Sequence, residues 1–139
     1  FNIYGPGHLL TDGRIVPQLM DAAINHKPFT VYGDGSATRS FCYLSDAVIQ
    51  LLAVLFGGTV GEVYNVGNGD SEISTWDFAR LGHRLFPELK VRSEPGSDQV
   101  EDAPIRRRAS ISKVMGMVYE RPGVDLTEGL RRTWEWHRA

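Results

Sequence analysis

Residues 29–46 read Phe29-Thr30-Val31-Tyr32-Gly33-Asp34-Gly35-Ser36-Ala37-Thr38-Arg39-Ser40-Phe41-Cys42-Tyr43-Leu44-Ser45-Asp46. This stretch predicts a short strand, a glycine-rich turn, a second apolar strand and the start of a helix. Glycines on both sides of Asp34 permit positive φ and let amide groups approach an anion, and Arg39 adds a planar, permanently charged, two-pronged donor. The pattern is typical of a turn that holds a phosphate, and the alternative is an ordinary hairpin or loop.

Outward from this stretch, helical and strand-like apolar spacings alternate along the chain. Helices are predicted from Ile15 to about Asn25, over 46–56, from Ser74 to about Phe86, over 111–116, and after Asp125. Strands are predicted at the opening Phe1–Tyr4 segment and over 29–32, 41–44, 62–66 and 89–92, with a loop over 93–105. The predicted helix caps are Ser45 or Asp46, Ser74 with Asp77, and Asp125 with Glu128. No tight two-residue turn joins neighbouring strands, so the predicted class is α/β rather than an antiparallel meander.

Composition favours one globular domain and excludes several classes of protein. The chain has 139 residues, 42% of them hydrophobic, and a formal charge of −2, which gives no attraction to nucleic acid or to an acidic membrane surface. The longest apolar stretch, Ala47 to Phe56, is too short to span a bilayer. The single cysteine, Cys42, cannot form an internal disulfide, so we expect a buried thiol and a cytoplasmic protein. No metal site is expected, because no metal-ligand spacing joins the cysteine to His8, His26, His83 and His137.

The helix predicted over 46–56 is apolar almost all round and therefore needs packing partners on more than one side. The chain opens without Met on a segment that resembles the end of a strand. We therefore expect a piece of a longer polypeptide, with one partner of this helix in a missing N-terminal part.

Several motifs follow one another in a fixed order: Phe1-Asn2-Ile3-Tyr4-Gly5-Pro6, Asp12-Gly13-Arg14, Tyr32-Gly33-Asp34-Gly35, Arg39-Ser40-Phe41, Asn65-Val66-Gly67-Asn68, the cluster Arg106-Arg107-Arg108 and Leu126-Thr127-Glu128-Gly129-Leu130. Together they resemble the C-terminal half of the extended short-chain dehydrogenase/reductases that modify nucleotide sugars, a family of epimerases, dehydratases and UDP-glucuronate decarboxylases. The spacing from Asn2 to Arg14 is most similar to the decarboxylase branch. The resemblance implies an α/β, Rossmann-like extended fold in which residues 1–139 are the C-terminal substrate-binding portion and a dinucleotide-binding part precedes them.

For the nucleotide sugar, a UDP-sugar or a relative of one, the resemblance implies a set of binding residues: Asn2, Val16, Gln18, Tyr32, Gly33, Gly35, Arg39 and Arg107. Arg39 and Arg107 would clamp the diphosphate through charge-assisted hydrogen bonds, with the Asn2 amide beside them. Val16, Gln18 and the glycine-rich turn would contact the base and ribose. The alternatives are an ordinary turn residue for Asn2, a packing role for Tyr32 and a solvated basic turn for the arginine cluster.

For the cofactor, the resemblance implies NAD. Tyr4, Gly5 and Pro6 would lie against its nicotinamide end, and Arg14 would reach it. The alternative for Arg14 is a solvated side chain at the start of a helix.

Three departures from the family pattern weaken the exact assignment. Pro17-Gln18 stand where the decarboxylase branch has Ser-Asn, Ala37 replaces a common Gln, and Ala109-Ser110 replace a typical Pro-Asp. One polar contact and one carboxylate are therefore missing near the implied site.

The chain holds neither the glycine-rich dinucleotide fingerprint nor a Tyr-x-x-x-Lys pair, so no catalytic residue is assigned in it. The resemblance implies that the parent oxidises the sugar at C4 with NAD and then decarboxylates it. The alternatives are an NDP-sugar 4-epimerase, a 4,6-dehydratase, or a non-catalytic nucleotide-sugar-binding module. We expect a homodimer formed through the missing part.

Overall fold

The computed structural model describes residues 1–96, 104–118 and 123–139. The helices are α1 Ile15–Ile24, α2 Leu44–Gly57, α3 Thr75–Leu85, α4 Ser112–Met115 and α5 Leu126–Arg138. The strands are β1 Ile3–Tyr4, β2 Phe29–Tyr32, β3 Thr38–Ser40, β4 Cys42–Tyr43, β5 Glu72–Ser74, β6 Val91–Glu94 and β7 Arg106–Arg107. None of the helices described is both long and apolar enough to cross a bilayer.

The strands form three small sheets. β1 pairs parallel with β4, and β2 pairs parallel with β6. In the third sheet β3 is central, antiparallel to β5 and parallel to β7. The predicted α/β class is confirmed, but the antiparallel β3–β5 pair was missed, because it joins two very short segments that lie more than thirty residues apart in sequence.

An aromatic core joins the sheets to the helices. The Tyr4 ring meets Phe41 and Tyr43 edge-on, at centroid distances of 6.2 and 5.5 Å. Phe41 stacks on Phe78 of α3 at 5.0 Å. Because Tyr4 ends β1 and Phe41 lies between β3 and β4, this packing fixes these strands relative to one another.

The last helix, α5, comes unusually close to β1. Gly129 lies against the Tyr4 ring, and a Cβ at this position would lie 2.0 Å from the Tyr4 hydroxyl oxygen. The hydroxyl itself lies 3.5 Å from the Leu126 carbonyl oxygen, to which it donates. The glycine in the family-like motif of α5 therefore has a packing role.

Local capping was predicted well for two helices and wrongly for one. The Ser74 side chain accepts from the Asp77 amide, and the Asp125 side chain accepts from the Glu128 amide, as expected. α2 instead begins at Leu44, after Tyr43 in an extended conformation without a side-chain cap, so the prediction of Ser45 or Asp46 as the cap is wrong. Asp46 lies in the first turn, where its carboxylate accepts from the Val124 amide at 3.3 Å.

The predicted strand over 62–66 is also wrong, because those residues form neither a strand nor a ladder in the structure. A strand needs a partner, and this segment is held by side-chain and terminal contacts instead. The Asn65 amide donates to the Ser110 carbonyl at 3.0 Å, and the Phe1 amino group donates to the Val66 carbonyl at 2.8 Å. The strand predicted over 89–92 forms two residues later, as β6. Because β6 extends to Glu94, the loop predicted over 93–105 begins later than expected. Residues 97–103 of that loop lie outside the described residues.

α2 carries the largest exposed apolar surface among the described residues. Its buried side chains are Asp46, Ala47 and Gln50, and the Gln50 amide exchanges hydrogen bonds with the Gly67 backbone. Its outer face exposes Val48, Ile49, Leu51, Leu52, Leu55 and Phe56, the last at 83%. This arrangement is the reverse of an ordinary surface helix, because the side turned to the rest of the chain carries polar groups and the outer face is apolar.

Candidate functional site

A cavity of about 270 Å³ lies between the end of β1, the start of α1 and the strand β3. Its wall includes five residues that the sequence placed at a ligand site, Asn2, Tyr4, Arg14, Val16 and Arg39. His8, Phe41 and Thr75 also line it, without having been assigned to a ligand site from the sequence. The carboxyl ends of the parallel strands β1 and β4 lie nearby, which is where open α/β sheets bind ligands.

Arg39 projects from the central strand of the three-stranded sheet, directly beside Arg107 of β7. Its Nη1 atom donates to the Thr38 carbonyl at 2.7 Å and to the Ile105 carbonyl at 3.4 Å. Burial and the neighbouring Arg107 lower the pKa of Arg39. The strand register places Arg39 opposite Arg107, and the charge of Arg107 acts on Arg39, so the two arginines concentrate positive charge in this part of the sheet.

Glu72 explains why Arg107 is the available member of the arginine cluster. Its carboxylate accepts from Arg106 at 2.7 and 2.8 Å, and it lies 3.7 Å from Arg108 Nε. Arg108 Nε also donates to the Gly69 carbonyl at 2.6 Å. In the part of the chain that the structure describes, the ion pairs include neither Arg39 nor Arg107.

Hydrogen bonds from Arg106 and then from the Thr38 hydroxyl, at 2.7 Å, lower the pKa of Glu72 to about 2. The carboxylate therefore stays ionised at neutral pH. It ties β5 to β3 and β7, and so it holds the strands that present Arg39 and Arg107.

Asn2 occupies the mouth of the cavity in a left-handed conformation with φ of 46°. Asparagine adopts this conformation more readily than most residues. Its Nδ2 atom donates to the Ser40 carbonyl at 2.9 Å, which fixes the amide beside β3. The structure thus places Asn2 and Arg39 in the wall of one cavity, and their role in binding a ligand stays a prediction.

The glycine-rich turn has the backbone that its sequence predicted. Gly33 and Gly35 have φ of 65° and 66°, and the Asp34 carboxylate accepts from the Ser36 amide and hydroxyl at 2.9 and 2.7 Å. These bonds from Ser36 lower the pKa of Asp34. Neither the turn nor the exposed Tyr32 is part of the cavity wall.

Arg14 and Gln18 are engaged locally at the start of α1. Arg14 Nε donates to Asp12 at 2.8 Å, and this hydrogen-bonded pair lowers the pKa of Asp12 and raises that of Arg14. The Gln18 side chain donates to the Gly13 carbonyl at 2.5 Å. Arg14 nonetheless lines the cavity, whereas Gln18 does not.

Tyr4 belongs to the buried core and also lines the cavity. Its side chain is only 2% exposed, and burial, followed by the nearby Tyr43, raises its pKa far above the ordinary value. Gly5 follows with φ of 148°, and a Cβ there would lie 2.9 Å from Leu44 Cβ. The backbone after β1 therefore packs closely against the start of α2, and any contact of this segment with a ligand would come largely from its main chain and from Pro6.

His8, like Thr75, is a polar wall residue that sequence reasoning missed. It was considered only as a metal ligand, and the described residues contain no group of three His, Cys, Asp or Glu side chains that could hold a metal. The available signal was its position two residues after Pro6, in the loop that leads from β1 to Arg14.

Residues 1–67 match the family described as Epimerase, the NAD dependent epimerase/dehydratase family. UDP-glucuronic acid decarboxylase 4 of Arabidopsis thaliana is 36% identical over 131 residues, which are 94% of this chain and 28% of that protein. The dTDP-D-glucose 4,6-dehydratase of Bos taurus is 32% identical over 142 residues, covering 99% of this chain and 39% of that protein.

Among solved structures, the UDP-glucuronic acid 4-epimerase of Bacillus cereus, in complex with UDP-glucuronic acid and NAD, superimposes with a TM-score of 0.84 at 26% identity. The match covers 99% of this chain and 43% of the epimerase chain. The chain thus spans well under half the length of these relatives. The match of residues 1–67 to the NAD dependent epimerase/dehydratase family, with similarity to these relatives over nearly the whole chain, confirms the resemblance drawn from its motifs.

Proposed function

We propose that this chain is the nucleotide-sugar-binding part of an NAD-dependent enzyme that oxidises UDP-glucuronate at C4 and then decarboxylates it. The observation that carries the proposal is the Arg39–Arg107 pair beside the cavity, with the Asn2 amide held close to it.

The arginine pair suits a diphosphate. Two adjacent cations without a carboxylate partner among the described residues repel each other, and an anion placed between them removes that repulsion. Guanidinium groups match phosphate oxygens in a two-pronged geometry, with short charge-assisted hydrogen bonds. Asn2 adds an uncharged amide that can donate or accept at the same place.

The rest of the nucleotide would extend along α1 and the glycine-rich turn. Val16 lines the cavity, and Gln18 follows it on α1, whereas Tyr32, Gly33 and Gly35 are proposed contacts outside the cavity wall. Gly33 has a positive φ and is exposed, so its backbone groups are accessible to a ribose or a base, whereas Gly35 is buried.

For NAD, the residues present fit one side of a binding site. Tyr4, Gly5 and Pro6 follow the carboxyl end of a parallel strand, and Arg14 lines the same cavity. When bound, NAD would accept a hydride from sugar C4, which makes the glucuronate a β-keto acid that loses CO2 readily, and the reduced cofactor would return the hydride to C4 to give the UDP-pentose. This chain's own residues would bind and orient the sugar nucleotide during that chemistry.

The remainder of the site would lie in an N-terminal dinucleotide-binding part of the same polypeptide, with residues 1–139 as its C-terminal portion. The apolar outer face of α2 supports this proposal, because a surface of that composition is normally covered. We propose further that the parent is a cytoplasmic homodimer that assembles through that N-terminal part.

A related reaction is the main alternative. The similarity to a dTDP-D-glucose 4,6-dehydratase and to a UDP-glucuronic acid 4-epimerase favours an enzyme that shares the C4 oxidation and differs afterwards. The third possibility is a non-catalytic nucleotide-sugar-binding module, which the departures at Ala37 and Ala109-Ser110 favour.

Product analysis on the full-length protein tests the proposal. UDP-glucuronate is supplied with NAD, and the products are separated by chromatography and identified by mass spectrometry. A decarboxylase releases CO2 and a UDP-pentose. An epimerase gives an isomer of unchanged mass, a dehydratase removes water from dTDP-glucose, and binding without turnover of any of these substrates contradicts an enzyme.

A further inference from the structure

The two residues of β7, Arg106 and Arg107, lie on opposite faces of the three-stranded sheet. Successive residues of a strand alternate between its two faces, and residues that are side by side in the ladder share a face. Arg107 therefore shares a face with Arg39, its partner in the register, and Arg39 lines the candidate cavity. Arg106 lines a different cavity, of about 480 Å³, together with Arg108. The sheet thus divides these four arginines into two pairs, one on each face.

Glu72 of β5 binds the donors on the face that carries Arg106. Its Oε1 atom accepts from the Thr38 hydroxyl and from Arg106 Nε, both at 2.7 Å, and its Oε2 atom accepts from Arg106 Nη2 at 2.8 Å. The Oε2 atom also lies 3.7 Å from Arg108 Nε. The Glu72 side chain is only 21% exposed, so these contacts are better shielded than those of an ordinary surface ion pair. One carboxylate therefore ties β5 to both β3 and β7.

The position of β7 depends on such a tie, because its backbone ladder is short. β7 has two residues, and its register with β3 consists of the pairs Thr38 with Arg106 and Arg39 with Arg107. So short a ladder holds a strand weakly by itself. A shift of β7 against β3 would move Arg107 relative to Arg39. Phosphate oxygens accept from guanidinium groups at about 2.7–2.9 Å, so an anion shared by both arginines would not tolerate such a shift.

We propose that Glu72 is a positioning residue for the ligand site. By holding the donors on one face of the sheet, it fixes Arg39 and Arg107 relative to each other on the opposite face, and so it raises the affinity for the diphosphate. This inference rests on the proposed function, because it takes the diphosphate to lie at these two arginines. The competing explanation is purely electrostatic, with the carboxylate repelling the diphosphate. The two explanations predict opposite signs, because loss of position weakens binding, whereas loss of a nearby negative charge strengthens it.

The test compares the binding of UDP and of uridine by the full-length NAD-loaded protein and its variants. Calorimetry measures UDP, and ligand-observed NMR measures uridine, which lacks the diphosphate and reports on the rest of the site. Glu72→Gln keeps the shape of the side chain and removes its charge. Glu128→Gln is the matched control, because the Glu128 carboxylate also accepts from two arginines, Arg131 and Arg132, but lies on α5 outside the cavity wall.

We expect Glu72→Gln to weaken UDP binding about tenfold, the scale of one misplaced charge-assisted hydrogen bond, and to leave uridine binding unchanged. Glu128→Gln should change neither affinity. Arg106→Gln should also weaken UDP binding, and its combination with Glu72→Gln should add little, because two side chains in one network do not contribute independently.

The inference is overturned if Glu72→Gln leaves UDP binding unchanged or strengthens it, weakens UDP and uridine equally, or is reproduced by Glu128→Gln. If Glu72→Gln does not fold, as judged by circular dichroism, Arg106→Gln is held to the same criteria. The proposed function fails in a different way, when the wild-type protein binds UDP no more tightly than uridine or when Arg39→Ala leaves UDP affinity unchanged.

Discussion

Arg39 is the residue on which the proposed ligand site depends most. Its guanidinium lies beside Arg107, outside the ion pairs that occupy Arg106 and Arg108. In the full-length protein, Arg39→Ala should weaken UDP binding by roughly 2–3 kcal/mol, because a charge-assisted pair with a phosphate is lost. Calorimetry measures the change, and Arg92→Ala is the control, since Arg92 is an exposed arginine paired with Glu94. Equal UDP affinities for Arg39→Ala and the control would show that Arg39 does not bind the diphosphate.

Gly129 is the residue at which stability responds most sharply to one methyl group. Alanine normally improves the interior of a helix, but here its Cβ would lie 2.0 Å from the hydroxyl oxygen of the buried Tyr4. Gly129→Ala should therefore destabilise the fold by about 1–3 kcal/mol, as overpacking does. Urea unfolding measures the difference, with Gly123→Ala as the control, because no atom of the described residues lies within 4 Å of a Cβ there. Partial rescue by Tyr4→Phe would identify the hydroxyl as the obstacle, and a stabilised Gly129→Ala would show that the contact is not as described.

Among the elements, the three-stranded sheet makes the stability of the fold depend on pH, through Glu72. The folded-state pKa of Glu72 is about 2, below its ordinary value of 4.5, because Arg106 and Thr38 donate to it. A depressed carboxylate pKa contributes stability that is fully present above about pH 4.5 and is lost as the pH falls towards 2. Glu72→Gln should therefore lower the unfolding temperature at neutral pH, with a gap to wild type that narrows through this acidic range.

Thermal unfolding followed by circular dichroism over a pH series measures that gap. Glu88→Gln is the control, because its carboxylate is 83% exposed beside His26. If the difference in unfolding temperature between wild type and Glu72→Gln stays constant with pH, then the hydrogen bonds from Arg106 and Thr38 do not lower the pKa of Glu72.

The elements also show what sequence could predict. The caps of α3 and α5 depend on residues three positions apart, Ser74 with Asp77 and Asp125 with Glu128, and local pattern identified both. The segment 62–66 has a strand-like pattern but no partner strand, whereas β3, β5 and β7 are too short and polar to be recognised and exist only through their mutual pairing. Propensity describes single segments, and pairing depends on the whole chain.

In the candidate site, too, local motifs predicted some residues, whereas others depend on contacts between distant parts of the chain. Arg39, Asn2 and Arg14 were predicted because they lie in motifs with a fixed order, and the structure brings all three to one cavity. The resemblance already selected Arg107 from the arginine cluster, but the reason that its two neighbours are engaged is Glu72, which lies more than thirty residues away in sequence. His8 could be recognised only from the shape of the cavity wall, which no local sequence pattern shows.

For the whole molecule, the outer face of α2 is the clearest sign of a larger assembly. Phe56 is 83% exposed, and Leu55 is 72% exposed on the same helix. Phe56→Glu should change the stability of the isolated chain by less than about 0.5 kcal/mol, because an exposed side chain contributes little there. In the full-length protein the same change should lower both the unfolding temperature and the amount of bound NAD, since a charge would be buried at the junction. Trp136→Glu, on exposed α5, is the control, and equal behaviour of Phe56→Glu in the two proteins would argue against a covered face.

The central claim is that this chain provides one side of a divided nucleotide-sugar site. Its most direct test is calorimetric titration of UDP-glucuronate into the isolated 139-residue chain and into the full-length protein, after circular dichroism has shown that both are folded. The account predicts binding by the full-length protein with NAD bound, and little or none by the isolated chain. Equally tight binding by the isolated chain would contradict it, because the site would then be complete within these residues and the chain would be a binding module in its own right.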